Sequence, residues 1–125
     1  MRAGALKLKA QLLCGDALAM GPGKAALLEA IDAAGSISAG ARSLGMSYRR
    51  AWLLVDEMNR CFADRLVDTV SGGGTGRGAT LSVTGRAVLT AFRAIERRMM
   101  AAAEGEAYDS LRELLRDTPQ PAEDR

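Results

Sequence analysis

The stretch from Gly35 to Phe62, GSISAGARSLGMSYRRAWLLVDEMNRCF, leaves this chain few folds to choose from. It reads as two helices joined by a tight turn. Ser36 or Ser38 can cap the first, because a serine oxygen accepts a hydrogen bond from an otherwise unpaired amide at a helix start. Ala41 and Leu44 then face inward, and Gly45 ends the helix where a left-handed backbone is least strained. Ser47 caps the second helix, whose apolar positions Ala51, Leu54, Val55, Met58 and Phe62 repeat at helical spacing. Ala41 stands four residues before Gly45, and Ala51 and Leu54 stand six and nine after it. That is the spacing of a helix-turn-helix, in which two helices cross so closely that bulky groups are excluded. Tyr48, Arg49, Arg50 and Trp52 are left facing outward at the start of the second helix, as a DNA-reading helix requires. An ordinary helical hairpin with solvated arginines shares this pattern, so the remainder of the chain has to decide.

Composition narrows the classes. The 125 residues, 48% apolar and 26% charged, suit one soluble globular domain with a modest core. No apolar run reaches the roughly 18 residues of a membrane helix. Arg2, Lys7 and Lys9 interrupt any signal-peptide core, so a cytoplasmic location without membrane contact is expected. Histidine is absent and cysteine is limited to Cys14 and Cys61, so neither a soft-metal cage nor a histidine-based hydrolase is available. No metal or cofactor is expected. The two cysteines read as reduced core residues rather than a redox pair; they lie 47 positions apart, and spacing does not place them within disulfide reach. Residues 1–103 hold 14 basic and 8 acidic side chains, whereas residues 104–125 hold 3 and 7. A basic body with an acidic tail suits a polyanionic partner.

In chain order, Ala5 to Leu13 alternates Leu6, Leu8, Ala10 and Leu12 with Lys7, Lys9 and Gln11, the pattern of a half-buried strand. Such a strand needs a partner from later in the chain. Gly15, Asp16 and the Met20-Gly21-Pro22-Gly23 cluster mark a loop. A helix from about Pro22 to Ala34 carries the apolar stripe Ala26, Leu27, Ala30, Ile31 and Ala34, and Gly35 ends it. Beyond Phe62, Leu66 to Val70 and Ala79 to Ser82 read as short strands flanking the glycine-rich loop from Ser71 to Gly78. A hairpin directly after a DNA-reading helix is the wing of a winged helix-turn-helix, and the N-terminal strand can complete a small sheet. The loop has rival readings as a flexible linker and as a phosphate cradle. Gly73 and Gly78 have phosphate-loop spacing, but Ala79-Thr80 stand where nucleotide binding needs Lys and then Ser or Thr.

Thr84 can cap a long helix reaching about Ala103, with Val88, Phe92, Ile95 and Met99 on one face, Leu89 and Ala102 beside it, and Arg86, Arg93, Arg97 and Arg98 elsewhere. Twenty such residues span roughly 30 Å, more than a small domain needs. Gly105 interrupts the helix, and Tyr108, Leu111, Leu114 and Leu115 resume an apolar stripe. Overhanging stripes of this kind are expected to pack on a second copy of the chain, making Val88, Phe92, Ile95 and Met99 a dimerisation face. From Asp117 the sequence DTPQPAEDR has the character of a disordered tail. The expected fold is α+β, mainly α: a winged helix-turn-helix over residues 1–82 with a small antiparallel sheet, dimerisation helices over 83–116, and a tail over 117–125.

The LKLKAQLL strand, the helix ending in AGSIS, the segment SISAGARSLGMSYRRAWLLVDEMN, the GGGTGRGA wing and the TGRAVL helix start together resemble the N-terminal DNA-binding domain of the ModE family, the molybdate-responsive bacterial transcription regulators. The resemblance runs from about Leu6 to Ala103. Its most specific part is G-S-I-S-x-G-A from Gly35, S-Y-x-x-A-W from Ser47 and E-M-N from Glu57. It implies a winged helix-turn-helix whose second helix enters the major groove, in a homodimer held by the N-terminal strand and the long C-terminal helix. Family members that sense molybdate carry a further oxyanion-binding region, and nothing after Ala103 resembles it. Molybdate sensing is therefore not carried over, and a stand-alone DNA-binding domain with an unknown effector is expected.

The expected function is a homodimeric, sequence-specific transcriptional regulator on an inverted-repeat operator, not an enzyme, with double-stranded DNA and itself as partners. Molybdenum-related or other transport and metabolic genes are its candidate targets. The alternative is a protein-interaction module that binds partners through the long C-terminal helix. The candidate DNA-binding residues are Ser36, Ser38, Ser47, Tyr48, Arg49, Arg50 and Arg77. Arginine can pair bidentately with guanine, and Ser or Tyr hydroxyls can hold phosphates. Arg77 is assigned to the minor groove or a neighbouring phosphate. Trp52 is read as a packing residue, with contact to a thymine methyl as the alternative.

Overall fold

A computed structural model describes residues 2–72 and 76–123; the side chains of Ala3 and of residues 71, 72, 76 and 77 lie outside the description. The chain is mainly helical with small antiparallel sheets. Helix α1 (Pro22–Ala34) starts on a proline, whose missing amide is no loss at that position, and ends at Gly35 with φ 78°. Its buried face is Lys24, Ala25, Leu27, Leu28 and Ile31, so the stripe is rotated from the expected one: Ala34 is exposed and Ala26 and Ala30 are only half-buried.

Helix α2 (Ile37–Ser43) is capped by Ser36, which accepts from the Ala39 amide at 3.0 Å; Ser38 is exposed and does not cap. Ile37, Gly40 and Ala41 are buried. Leu44, expected inside, is 43% exposed, because the helix ends on it and the chain turns outward. Gly45 takes φ 65° in that turn, and the Met46 amide reaches back to the Ala41 carbonyl at 2.9 Å. Helix α3 (Tyr48–Cys61) follows, capped by Ser47, and buries Ala51, Val55 and Met58. Leu54 and Phe62 pack on the core from its edge.

The closest crossing among these helices is at Gly40 rather than at Ala41. A Cβ at Gly40 would stand 2.9 Å from the Ile31 amide nitrogen, so α2 lies directly against the backbone of α1. Met20, Leu27, Leu28, Ile31, Val55, Met58, Leu66 and Val67 are the largest fully buried side chains, drawn from the second N-terminal hairpin, α1, α3 and the start of the hairpin after α3.

That later hairpin pairs β5 (Val67–Gly72) with β6 (Gly76–Leu81), in register from Val67↔Leu81 to Gly72↔Gly76. The expected strands were shorter, with an eight-residue loop from Ser71 to Gly78 between them. Pairing continues into the glycines because a ladder needs only backbone donors and acceptors, which glycine retains. Residues 73–75, part of that predicted loop, lie outside the described residues. The root of the hairpin is fixed twice. The Asn59 side chain accepts from the Leu66 and Val67 amides at 2.8 and 3.2 Å, and the Ala79 amide donates to the Gly35 carbonyl at 2.8 Å.

The N-terminus corrects the sequence reading most. In place of one strand from Ala5 to Leu13 there are two small hairpins, β1 (Arg2–Ala3) with β2 (Leu6–Lys7) and β3 (Leu12–Cys14) with β4 (Ala17–Met20). The predicted loop after Gly15 thus contains a strand. Gly4 and Gly15 adopt φ 58° and 59°, folding the chain back onto its nearest neighbour, and such local pairing closes far shorter loops than pairing with a distant strand. Among the described residues there are three separate two-stranded sheets; the N-terminal strands do not extend the β5–β6 hairpin.

Helix α4 (Val83–Ala103) is capped by Ser82, which accepts from the Gly85 amide at 2.9 Å. Thr84, the expected cap, instead donates to Asp64 at 3.1 Å. Ser82 wins because it sits one residue before the helix and its hydroxyl also donates to the Arg65 carbonyl at 2.5 Å. Two ion pairs lace α4 to α1: Arg86 to Asp32 at 2.8 Å and Arg93 to Glu29 at 2.5 Å. Gly105, at φ 134°, separates α4 from α5 (Glu106–Leu114), which buries no residue of its own. Residues 115–123 carry neither helix nor strand. No helix among the described residues is long and apolar enough to cross a membrane.

Candidate nucleic-acid interface

The start of α3 is an exposed, basic helix end. Ser47 accepts from the Arg50 amide at 3.1 Å and so starts the helix at Tyr48. Tyr48, Arg49 and Arg50 are all exposed. Among the described residues neither arginine forms an ion pair, whereas Arg60, Arg86, Arg93 and Arg112 each hold a carboxylate. The Arg93 guanidinium, for example, is held above its ordinary pKa chiefly by its hydrogen bond to Glu29. The first turn of α3 contains no acidic residue, and the nearest carboxylate on its outer face, Asp56, is bound to Arg60 at 2.9 Å. The amide dipoles at the helix start add to the uncancelled positive charge there.

Beside this end lies a recess of about 590 Å³ between the helices and the β5–β6 hairpin, lined by Ser36, Ser38, Tyr48, Trp52, Thr69 and Val70 among others. Three of the predicted site residues, Ser36, Ser38 and Tyr48, therefore share one concave surface. Ser47, Arg49 and Arg50 belong to the same end of α3 without lining the recess. Ser36 is half-buried and already engaged as a cap, which leaves Ser38 the freer hydroxyl of the two. Trp52 is half-buried, packs on the core and meets Tyr48 edge-on with ring centroids 6.2 Å apart. The packing role read for it agrees with this position, and Trp52 also lines the recess. The backbone of Arg77 pairs with Ser71, and its side chain lies outside the described residues.

Leu53 is a residue that the sequence reading passed over. It is 61% exposed, one turn beyond Arg49 on the outer face of α3. The signal was present: Leu54 and Val55 satisfy the buried spacing, so a third consecutive apolar residue has to point away from it. An outward leucine on such a face has the chemistry to meet a thymine methyl.

Two contacts behind α3 hold it in place. The Lys24 ammonium, 3% exposed, binds Glu57 and also the carbonyl of Leu18 in β4. Asn59, two residues on, holds the first residues of the hairpin as described above. Glu57 and Asn59 face the scaffold, not solvent alone, and they fix how far the start of α3 projects.

The proposed dimerisation residues are spread over surface and interior. Phe92 is 5% exposed and buried by its own chain, Val88 and Met99 are half-buried, and Ile95 is 52% exposed. Val88, Phe92 and Ile95 line an apolar groove of about 270 Å³ together with Leu12, Met20 and Phe62. A second apolar groove, of about 320 Å³, runs between Leu6 and the α5 residues Tyr108, Leu111 and Leu114. Among the described residues no group of three or more side chains could hold a metal ion.

No family model matches the chain. It is 46% identical over 77 residues to the molybdenum-pterin-binding protein MopB of Rhodobacter capsulatus, covering 62% of this chain and 28% of that protein. It is 41% identical over 70 residues to the molybdenum transport protein ModE of Azotobacter vinelandii, covering 56% and 26%. The DNA-binding transcriptional dual regulator ModE of Escherichia coli K12 is 34% identical over 90 residues, covering 72% and 32%. The matched stretch thus spans between a quarter and a third of the length of these curated relatives.

Proposed function

We propose that this chain, a relative of the ModE regulators over most of its length, is a DNA-binding transcriptional regulator rather than an enzyme. The observation that carries the reading is the pair of exposed, carboxylate-free arginines, Arg49 and Arg50, on the first turn of a helix seated rigidly from behind. In this reading α2 and α3 are the helix-turn-helix, α3 enters the major groove, and the β5–β6 hairpin is the wing. The hydroxyls of Ser38, Ser47 and Tyr48 meet phosphates, and Arg77 meets the adjacent minor groove or its backbone. The recess between α3 and the hairpin accepts the rim of the DNA strand. The description of the Escherichia coli relative as a DNA-binding regulator supports this assignment, and the molybdenum functions of the other relatives favour molybdenum-related genes as targets.

The operating form is a homodimer. Leu12 and Leu13 in the second hairpin, Ile95 on α4 and Leu111, Leu114 and Leu115 around α5 are exposed apolar side chains with no function in the reading head. Most of them are only about half exposed, so covering each on a second copy contributes on the order of 1–2 kcal/mol. Residues 1–82 form the DNA-binding domain, residues 83–116 the dimerisation helices and residues 117–125 the tail. Two-fold symmetry then implies an inverted-repeat operator with half-sites one or more helical turns apart. Selection of bound sequences from random DNA, with and without molybdate, tests the proposal. A palindromic consensus with salt-sensitive affinity is expected, and the absence of any enriched sequence at low salt would overturn it.

A further inference from the structure

Cys14 and Cys61 take no part in the DNA-reading scheme, and both are free thiols. The fold brings together what the sequence keeps 47 positions apart. Cys61 is the last residue of α3 and lies one turn beyond Glu57 on the same side of that helix. Glu57 is joined through Lys24 to the Leu18 carbonyl in β4. Leu18 pairs with Leu13, and Cys14 pairs with Ala17 at the turn of the same hairpin. The end of α3 therefore packs against the β3–β4 hairpin, with Cys61 at the end of the helix and Cys14 at the turn of the hairpin.

We propose that Cys14 and Cys61 are a reversible thiol-modification site, closing to a disulfide that staples the β3–β4 hairpin to the far end of α3. Cys14 is exposed and meets the oxidant, a low-molecular-weight disulfide of the glutathione class. Its thiolate attacks one sulfur of that disulfide, forming a mixed disulfide and releasing one small thiol. The Cys61 thiolate then attacks the sulfur of Cys14, breaking the mixed bond and releasing the second small thiol. Two protein thiols are oxidised to one disulfide, one small disulfide is reduced to two thiols, and the two protons leave on those thiols. The order of attack follows from the surroundings. Burial pushes the Cys61 thiol above its ordinary pKa, with Cys14 and Glu57 acting in the same direction and Lys24 opposing them. Cys14, the exposed thiol, therefore reacts first and the half-buried Cys61 second.

The test equilibrates the whole chain in glutathione buffers of rising oxidised fraction, then blocks free thiols and measures intact mass. The expected product is a single chain lighter by two hydrogens, with no thiol left to block and with full reversal by dithiothreitol. Closing a loop of this length is expected to raise the melting temperature by roughly 10 °C or more. Cys61→Ser should instead accumulate one glutathione on Cys14 with no such rise. Two blockable thiols in the most oxidising buffer, or a disulfide formed only between chains, overturns the proposal.

Discussion

The Lys24–Glu57 pair makes a directional prediction, because its two members are buried unequally. Lys24 is 3% exposed, whereas the Glu57 side chain is 35% exposed. Glu57→Gln keeps the size of the side chain and one acceptor but removes the charge, leaving a buried ammonium with neutral oxygens only. Breaking a fully buried pair from one side costs about 3–5 kcal/mol, and the partial exposure of Glu57 reduces this to roughly 2–3 kcal/mol. Lys24→Met removes the buried charge itself and fills the same space. The Glu57 carboxylate that remains can turn to water, so the loss should stay within about 1 kcal/mol. With a urea dependence of about 1–3 kcal/mol per molar, Glu57→Gln should lower the unfolding midpoint by on the order of 1 M or more, several times the change for Lys24→Met. Circular dichroism at 222 nm measures both. Equal losses, or a larger one for Lys24→Met, would refute the argument that burial of the ammonium sets the penalty.

Three further predictions rest on separate contacts. Arg49→Ala and Arg50→Ala should each weaken operator binding, and whichever pairs with guanine should lose on the order of 1–3 kcal/mol and relax preference at one base in a gel-shift series. Unchanged affinity in both would remove α3 from the major groove. Gly40→Ala should destabilise the fold by about 2 kcal/mol, since its Cβ would meet the α1 backbone at 2.9 Å; a melting temperature at or above the parent's contradicts the crossing described. Ser82→Ala should cost about 1 kcal/mol as a lost cap and Thr84→Ala less than half of that, and the reverse order in denaturant melts would reinstate Thr84.

The helices were legible in the sequence because their signals are local. Ser47 before Tyr48, Pro22 at the start of α1, and Gly35 and Gly45 at turns each act within one turn of the helix they limit. The strands were less so. Leu6 to Leu12 alternates convincingly, yet alternation cannot say which partner a strand will take, and Gly4 and Gly15 gave each segment a nearer one. The inward or outward direction of Leu44, Leu53 and Ala34 depended on where neighbouring helices lie, which periodicity alone does not contain. The same limit hid the nearness of Cys14 and Cys61, for no local pattern relates the turn of a hairpin to the end of a helix. Of the candidate interface, the residues of α3 were readable as a basic helix start, but the contacts of Lys24, Glu57 and Asn59 that seat it required the tertiary packing.

Gly35 ends α1 by donating to Ile31, precedes the cap of α2, and accepts the Ala79 amide through its carbonyl. One residue is thus the common hinge-pin of helix, turn and hairpin. Because the hairpin is anchored there and at Asn59, changing its length alters reach without altering aim. In the proposed DNA complex, each residue added to both strands would carry the tip about 3.3 Å farther from that anchor while the start of α3 kept its place. Under the proposed function, insertion and deletion at the tip alone would retune how much flanking DNA the protein contacts, with the start of α3 held constant.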